Sequence, residues 1–311
     1  MRENLNDRIE KTKELFESAD YVLIGAGAGL STAGGFEYSG ENFEKYFSDF
    51  GKKYGFKDMY SGGFNPYKTL EEKWAFWSRY IYVNRYLSEK ANPLYKSLFE
   101  LIKNKNYFVI TTNVDHQFQL SGFDKNKIFY MQGDYGLFQC EVPCHNKTYD
   151  NKELVFQMLL SQNFLEKTQN GYKITDKSMW KMQIDSSLIP KCPVCGRNMT
   201  MNLRADDTFI QDEGWEKHAK LYEEFLEKEK DKKLLLMEFG VGYNTPIIIK
   251  YPFERMTYLN ENTNLIRFNK DYAICSKEIS NKTILFDESI EMILSKLKII
   301  SMLSSKRIVL F

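Results

Sequence analysis

The sequence predicts an α/β fold built on a doubly wound parallel sheet. Short apolar segments that end in polar or glycine-rich residues recur along the chain, separated by helical lengths. We expect strands at residues 21–24, 107–111, 128–131, 234–240 and 265–269. Ligands of such sheets bind at the carboxyl ends of the strands, so the polar residues there are the first candidates for a site.

A glycine-rich turn follows the first expected strand. Residues 25–35 read Gly-Ala-Gly-Ala-Gly-Leu-Ser-Thr-Ala-Gly-Gly, and such a turn can bring backbone N–H groups and a helix N-terminus to a pyrophosphate. The dehydrogenase pattern G-x-G-x-x-G fails because Leu30 or Thr32 stands at its third glycine. The phosphate-loop pattern fails because Gly35 and Phe36 stand where Lys and Ser/Thr are required. The turn therefore predicts a dinucleotide site that is not of the usual dehydrogenase kind.

Helical segments lie between the expected strands. An amphipathic helix is expected over about residues 4–18, and residues 215–233 form a charged helix that we interpret as a solvated connector. Residues 36–100 are interpreted as a helical insert. Its closely spaced aromatic residues are expected to form core: Trp74, Phe76, Trp77, Tyr80, Tyr82 and Tyr86.

Composition excludes several classes of function. The chain has 311 residues, 43% of them hydrophobic, which is enough for a substantial core. With 43 basic and 42 acidic residues the net charge is +1, so no electrostatic signature of a nucleic-acid partner is present. The first residues include acids and lack a hydrophobic signal core, and no run approaches the roughly 18 apolar residues of a membrane span. We expect a cytoplasmic protein without nucleic-acid or membrane partners.

Four of the five cysteines form two closely spaced pairs. Cys140 and Cys144 have three residues between them, and Cys192 and Cys195 have two. Two such thiolate pairs can supply the four tetrahedral ligands of a structural Zn²⁺, and isolated buried cysteines are the alternative. Cys275 is expected to be an ordinary strand or core residue.

These features, taken in order, resemble the sirtuins. The sirtuin turn G-A-G-[IL]-S-x-x-[SA]-G-I matches residues 27–36, and T-Q-N-I-D matches residues 111–115. The H-G strand end matches residues 132–133, and four zinc cysteines follow. The loop G-T-S-x-x-x-x-P resembles residues 240–246, and a later I-N strand end resembles residues 268–269. The resemblance covers roughly residues 5–300 and implies NAD as co-substrate and a structural Zn²⁺.

The resemblance also implies a domain organisation and a set of site residues. One catalytic domain, 1–311, would comprise a Rossmann-like NAD-binding core (1–35, 101–135 and 230–311), a helical insert (36–100) and a zinc module (136–205). The implied catalytic residues are Asn113, Asp115 and Gln132. The implied cofactor-binding residues are Ala26, Gly27, Ala28, Gly29, Ser31, Thr112, Asn113, Asp115, Gln132, Gly240, Gly242, Asn244 and Asn269.

Two departures from the deacylase pattern bear on the activity. Deacylases carry P-D-F-R after the nucleotide turn, where this chain has Glu-Tyr-Ser-Gly at residues 37–40. Gln132 replaces the deacylase general-base histidine, and glutamine cannot take a proton from a ribose hydroxyl near neutral pH. We therefore expect hydrolytic deacylation to be crippled.

The same combination is similar to the macrodomain-linked class of microbial sirtuins. That class also reads Gly-Ala-Gly-Leu-Ser, then Tyr-Ser-Gly-Glu, Asn-x-Asp and Gln-Gly. The resemblance implies protein ADP-ribosyltransferase activity, with a lipoylated carrier related to the glycine-cleavage H protein as acceptor. It also implies a macrodomain protein as functional partner.

The residues themselves are compatible with this chemistry. Asn113 and Asp115 flank Val114 on an expected extended strand end, so their side chains should project to the same side. Asn113 could hold the nicotinamide ribose or a positioned water. Asp115 could hydrogen-bond the carboxamide of NAD or orient the acceptor. Gln132 could hydrogen-bond the ribose hydroxyls without deprotonating them. A carboxylate acceptor is already an anion near neutral pH and needs no strong base.

Other interpretations remain open at the level of sequence. The chain could be an NAD hydrolase or a deacylase, or a non-catalytic NAD or ADP-ribose sensor. Asn113 and Asp115 could cap a helix, and Ser31 could cap the helix that follows the turn. His116 should face away from Asp115 if both lie on a strand. A nucleotide neighbour is the expected reason for glycine at positions 240 and 242.

Overall fold

The computed structural model describes residues 3–88, 90–228 and 230–307, with side chains as far as Lys298. The helices, in chain order, are α1 Leu5–Ser18, α2 Ala28–Ala33, α3 Gly40–Tyr54, α4 Met59–Gly63, α5 Leu70–Ile81, α6 Pro93–Ile102, α7 Gln117–Leu120, α8 Lys152–Ser161, α9 Glu213–Lys228, α10 Lys250–Leu259 and α11 Ile290–Arg307. The strands are β1 Tyr21–Ala26, β2 Asn106–Thr111, β3 Ile128–Tyr130, β4 Gly133–Cys140, β5 Tyr149–Asp150, β6 Leu165–Thr168, β7 Gly171–Ile174, β8 Met199–Leu203, β9 Leu234–Phe239, β10 Thr263–Phe268 and β11 Thr283–Phe286.

The chain forms two compact units, and the first contains the parallel sheet. The described part of this unit 1 lies in residues 3–35, 90–132 and 214–307. Its sheet has the order β11-β10-β9-β1-β2-β3, and each neighbouring pair is parallel. The prediction of a doubly wound parallel sheet is confirmed. All five expected strands belong to it, and β11 is a sixth that the sequence analysis did not identify.

Successive residues of the central strand face opposite sides of the sheet. Val22 and Ile24 point into one apolar cluster, which also takes its side chains from α1, α6 and α11. Leu23 points into a second cluster that includes Phe253 of α10 and Phe225 of α9. Because helices cover both faces, every residue of β1 after Tyr21 is buried, as expected of a parallel strand.

Helix α9 differs from its predicted role as a solvated connector. Trp215, Ala219, Tyr222 and Leu226 recur at helical spacing and pack on the second cluster, where Phe225 is buried. The many charges of this segment hid an amphipathic pattern whose apolar stripe covers the sheet. Cys275 does not lie in a strand, but it packs, half-buried, against the second cluster from an irregular segment after β10, in partial agreement with the expectation.

Unit 2 consists of the insert and the cysteine-bearing region together. Its described residues are 36–88 and 133–213, and they include an antiparallel sheet, β5-β4-β8, and the hairpin β6-β7. The expected insert ended at residue 100, but α6 belongs to unit 1. The reason is that Leu94, Leu98 and Ile102 of α6 are buried in the first cluster of that unit.

Five of the six aromatic residues predicted to form core in the insert are buried: Trp74, Phe76, Trp77, Tyr80 and Tyr82. The sixth, Tyr86, is only half-buried. They lie on α5 and on the π-helical turn Tyr82–Tyr86 that continues it. Within the described residues, no helix combines the length and apolar character needed to cross a bilayer.

Candidate functional site

The predicted site residues of unit 1 lie at one edge of its parallel sheet. The glycine-rich turn follows β1, Asn113 and Asp115 follow β2, and Gln132 follows β3. Residues 240–244 follow β9, and Asn269 follows β10. These five strands are neighbours and run parallel, so their carboxyl ends meet at the same edge, where doubly wound sheets bind ligands.

The glycine-rich turn packs its backbone directly against the end of β9. The Gly27 N–H donates to the carbonyl oxygen of Phe239 (3.0 Å), and the Gly29 N–H donates to that of Gly240 (2.9 Å). A Cβ atom on Gly27 would lie 2.8 Å from the Gly240 oxygen, and one on Gly29 would lie 2.7 Å from the Gly240 Cα. The approach of two backbones therefore requires glycine at both positions of the turn.

Gly240 is glycine for a different reason from the one expected. Its φ is +60°, and a Cβ there would lie 2.3 Å from the backbone nitrogen of Leu30. The neighbour that excludes a side chain is thus the protein's own turn and not a nucleotide. Around Gly242, in contrast, a Cβ would meet no atom of the described chain within 4 Å. Gly242 therefore faces space that a ligand can occupy.

The segment after β2 is not the extended strand end that was predicted. β2 ends at Thr111, whose side-chain Oγ1 accepts a hydrogen bond from the Asn113 N–H (2.9 Å). His116 has a φ of +66° and is the N-cap residue of α7, so alternation along a strand does not determine where it faces. Asp115 Oδ1 accepts from the Gln117 N–H (3.1 Å) and so does hold the start of this helix. Asn113 and Asp115 nevertheless join one cluster of side chains.

Four polar side chains of unit 1 form a buried network at the sheet edge. Ser31 donates from Oγ to Asp115 Oδ2 (2.5 Å) and contacts Tyr95 Oη (2.8 Å). Asn113 Nδ2 donates to Tyr95 Oη (3.1 Å) and to the carbonyl oxygen of Gly27 (3.0 Å). All four side chains are buried, with Tyr95 completely inaccessible. The network fixes both predicted catalytic side chains of the β2 loop relative to the glycine-rich turn.

Two members of this network were misjudged or missed from the sequence. Ser31 was considered as a helix cap, but it lies inside α2, where the N-cap is Gly27 and makes no side-chain hydrogen bond. Tyr95 lies on α6 and was not proposed at all. Its only signal in the sequence is a hydroxyl on the otherwise apolar face formed with Leu94, Leu98 and Ile102.

Of the other predicted cofactor-binding residues, some form hydrogen bonds that hold the loops in place, and others are accessible to solvent. Asn269 Nδ2 donates to the Val241 carbonyl oxygen (2.9 Å), and its Oδ1 accepts from two backbone N–H groups of its own loop, so it ties two loops together. The Ala26 carbonyl oxygen accepts from the Thr112 N–H (3.1 Å). Asn244 is exposed and Gln132 is half-buried.

A buried cluster of charged side chains lies within the same unit. Glu238 of β9 accepts from Lys250 Nζ (2.9 Å) and from Arg267 Nη2 (2.8 Å), and all three side chains are inaccessible. Arg267 also pairs with Glu254 (2.8 Å). Burial lowers the pKa of Lys250, whereas for Arg267 the pairing with Glu238 outweighs burial and raises the pKa. Burying these charges is tolerable only because each has a partner.

The charge cluster reaches both loops that follow β9 and β10. Lys250 Nζ lies 5.1 Å from the ring centroid of Tyr243, which stacks edge-on against Tyr272 (5.1 Å between centroids). Arg267 donates to the carbonyl oxygen of Ile274. The sequence analysis did not identify this cluster, because charged residues are ordinarily expected at the surface.

In unit 2 the structure brings the four predicted cysteines together. The sulfur atoms of Cys140, Cys144, Cys192 and Cys195 all lie within 4.8 Å of one another. Cys140 and Cys195 are 3.6 Å apart, and Cys144 and Cys192 are 3.7 Å apart. Zn–S bonds of about 2.3 Å in a tetrahedron place sulfur atoms about 3.8 Å apart, so the donor set fits a structural Zn²⁺.

The surroundings of the sulfur atoms also suit a cation. Loss of hydration among the clustered sulfur atoms and hydrogen bonding with the other thiols raise the pKa of Cys144 to about 12. Burial opposes ionisation of Cys192 too, but the backbone N–H groups of Cys195 and Val194 outweigh it and lower its pKa to about 7. His145 Nδ1 lies 3.0 Å from the Cys144 sulfur, and its Nε2 lies 2.8 Å from Tyr149 Oη. The bound metal would replace the protons of the crowded thiols.

Comparison with known proteins gives two curated relatives, although no protein-family model matches the chain. A protein ADP-ribosyltransferase of Staphylococcus aureus is 36% identical over 293 residues, which are 92% of this chain and 87% of that protein. A probable bifunctional ADP-ribose hydrolase/ADP-ribosyltransferase of Fusarium oxysporum is 32% identical over 248 residues. The match spans 78% of this chain but only 39% of that longer protein.

Solved structures share the fold. Sir2Tm bound to a propionylated peptide has a TM-score of 0.53 and 16% identity, covering 93% of this chain and 96% of that one. A Sir2 mutant with a p53 peptide and NAD has a TM-score of 0.53 and 18% identity, with the same coverage. The chain therefore has the sirtuin fold and belongs to the same family as the Staphylococcus aureus protein ADP-ribosyltransferase.

Proposed function

We propose that the protein is an NAD-dependent protein mono-ADP-ribosyltransferase. The observation that carries the proposal is that a buried, hydrogen-bonded Asn113–Asp115 network and Gln132 lie at the carboxyl ends of the neighbouring strands β2 and β3. The network can orient a substrate, while Gln132 offers hydrogen bonds and no base near neutral pH. The names of both curated relatives include ADP-ribosyltransferase, which supports the same reaction.

NAD would lie along the sheet edge, with its phosphates at the turn that follows β1. The space beside Gly242 and the N-terminus of α2 are compatible with an anionic ligand there. NAD supplies the ADP-ribosyl group and nicotinamide as leaving group. Asn113 Oδ1 can accept from a ribose hydroxyl, and the Gln132 amide can hydrogen-bond the hydroxyls without removing a proton.

The transfer itself balances without a general base. The acceptor forms a bond to the anomeric carbon of the ribose as the bond to nicotinamide breaks, and nicotinamide leaves neutral because its ring nitrogen is cationic in NAD. An acceptor carboxylate is already ionised near neutral pH, so no proton has to move. Deacylation, in contrast, needs a ribose hydroxyl to be deprotonated, and Gln132 cannot do this.

For the acceptor we propose a lipoylated carrier related to the glycine-cleavage H protein, as the family resemblance implies. A macrodomain protein that removes ADP-ribose is the proposed functional partner. The Fusarium relative supports this pairing, because its name joins an ADP-ribose hydrolase and an ADP-ribosyltransferase in one chain.

The test follows label from NAD to protein. The enzyme is incubated with NAD labelled in the adenylate and with the lipoylated carrier, and an acyl-lysine peptide is followed in parallel. We expect label on the carrier and an unchanged peptide, and we expect Asn113→Ala to abolish transfer while the fold remains intact. Peptide deacylation without labelling of the carrier would refute the proposal. Release of free ADP-ribose alone would indicate an NAD hydrolase, and intact bound NAD would indicate a sensor.

A further inference from the structure

Tyr95 occupies the centre of the buried network at the sheet edge. Its side chain is 0% exposed, and its ring packs edge-on against Phe118 with 4.9 Å between centroids. The ring thus belongs to the apolar core, but the hydroxyl reaches out of it to Ser31 and Asn113. A buried hydroxyl that hydrogen-bonds two predicted site residues can fix the orientation of their side chains.

The direction of each hydrogen bond follows from counting protons. Ser31 has one hydroxyl hydrogen, which it donates to the Asp115 carboxylate. Tyr95 must therefore donate its own hydrogen to Ser31, and its oxygen accepts from Asn113 Nδ2. The chain of donors runs from Asn113 through Tyr95 and Ser31 to Asp115 and ends on a negative charge. Hydrogen bonds in such a chain polarise and strengthen one another.

The chain also determines how Asn113 presents its amide. Both hydrogens of Nδ2 are used, one by Tyr95 Oη and one by the Gly27 carbonyl oxygen. Oδ1 accepts no hydrogen bond from the part of the chain that the structure describes, and it is not among the side-chain atoms sealed from solvent there. Oδ1 is therefore the atom that Asn113 offers to a ligand.

We propose that Tyr95 is a positioning residue for the transfer reaction. Its hydroxyl holds the Asn113 amide with Oδ1 toward the substrate and connects that amide to the charge of Asp115. The inference rests on the proposed function, because it takes Asn113 to act on the ribose of NAD. Since Tyr95 is completely buried, it touches no substrate itself and acts only through Asn113 and Ser31.

The kinetic test removes the hydroxyl and keeps the ring. Tyr107→Phe is the matched control for Tyr95→Phe, because Tyr107 is also buried in unit 1, packs edge-on against Phe123 and accepts one hydrogen bond from the Asp124 N–H. With the lipoylated carrier as acceptor, we expect Tyr95→Phe to lower kcat for nicotinamide release about tenfold. The KM for NAD should change less than about twofold, because Tyr95 does not contact NAD. Equal kcat values for the two variants would overturn the proposal.

A second measurement decides the inference without relying on activity. The side-chain amide resonances of Asn113, assigned by their absence from Asn113→Asp, are recorded by NMR. Ser31→Ala should shift them when Tyr95 is present, since it breaks the chain beyond the tyrosine, and should cause no further shift in Tyr95→Phe. An equal shift in both backgrounds would refute coupling through the hydroxyl. A wild-type enzyme that releases no nicotinamide would refute the proposed function, while the NMR result would still decide the role of Tyr95.

Discussion

Substitution of Gly240 by alanine tests the account of the glycine-rich turn. The φ of +60° at this position costs an L-residue about 1–2 kcal/mol. The new Cβ would also lie 2.3 Å from the Leu30 nitrogen and 2.4 Å from the Gly29 carbonyl carbon. Both are backbone atoms, so the two segments must separate, and overpacking of this kind costs about 1–3 kcal/mol. We expect Gly240→Ala to lower the free energy of unfolding by about 2–5 kcal/mol.

Substitutions at two further glycines of unit 1 distinguish the cost of the positive φ from the cost of overpacking. Gly35 has a φ of +86° but open space around its Cβ position, so Gly35→Ala should show only the conformational cost of about 1–2 kcal/mol. Gly242 has neither a positive φ nor a neighbour, so Gly242→Ala should stay within about 0.5 kcal/mol of wild type. Urea denaturation followed by fluorescence gives all three values. If Gly240→Ala were no less stable than Gly35→Ala, the backbone approach would not be the reason for glycine at position 240.

Two other predictions concern the zinc site and the buried charges. Metal analysis of the purified protein should find about one zinc per chain, and Cys192→Ser should reduce it below about half, while Cys275→Ser keeps it because Cys275 lies outside the four-cysteine cluster. Zinc below about half an equivalent in the wild type would contradict the four-thiolate site. Glu238→Gln should destabilise the protein by about 3–5 kcal/mol in urea denaturation, because it leaves the buried Lys250 and Arg267 without their shared counter-charge. The exposed pair Glu100–Lys103 provides the control, and a loss no larger than that of Glu100→Gln would show that the cluster does not depend on Glu238.

The parts of the fold that were predicted correctly are those with local signals. Each strand of the parallel sheet except β11 is an apolar run with a polar or glycine-rich end, which is readable within a few residues. The two cysteine pairs are likewise recognisable from the short spacing within each pair. Helix α9 was misjudged because its abundant charges outnumber the residues of its apolar stripe.

The parts that were missed depend on contacts between distant residues. Tyr95 is 64 positions from Ser31 and 18 from Asn113 along the chain, and nothing nearby in the sequence marks it as polar core. Glu238, Lys250 and Arg267 are residue types that usually lie at the surface. Their burial is tolerable only because they form ion pairs with one another, and the sequence does not show those pairs. For Gly240 the position was recognised but not the cause, because the approach of Gly29 to the end of β9 is a tertiary contact.

The charge cluster has a consequence for the motions of the sheet edge. Tyr243, in the loop after β9, lies over Lys250, and the loop after β10 is held through Ile274 by Arg267. Both cations share the single carboxylate of Glu238, so neither loop can open widely without disturbing the partner of the other. In hydrogen exchange the amides of the two loops should therefore behave as one cooperative unit, with a common opening free energy. A ligand held by either loop would therefore slow exchange in both loops.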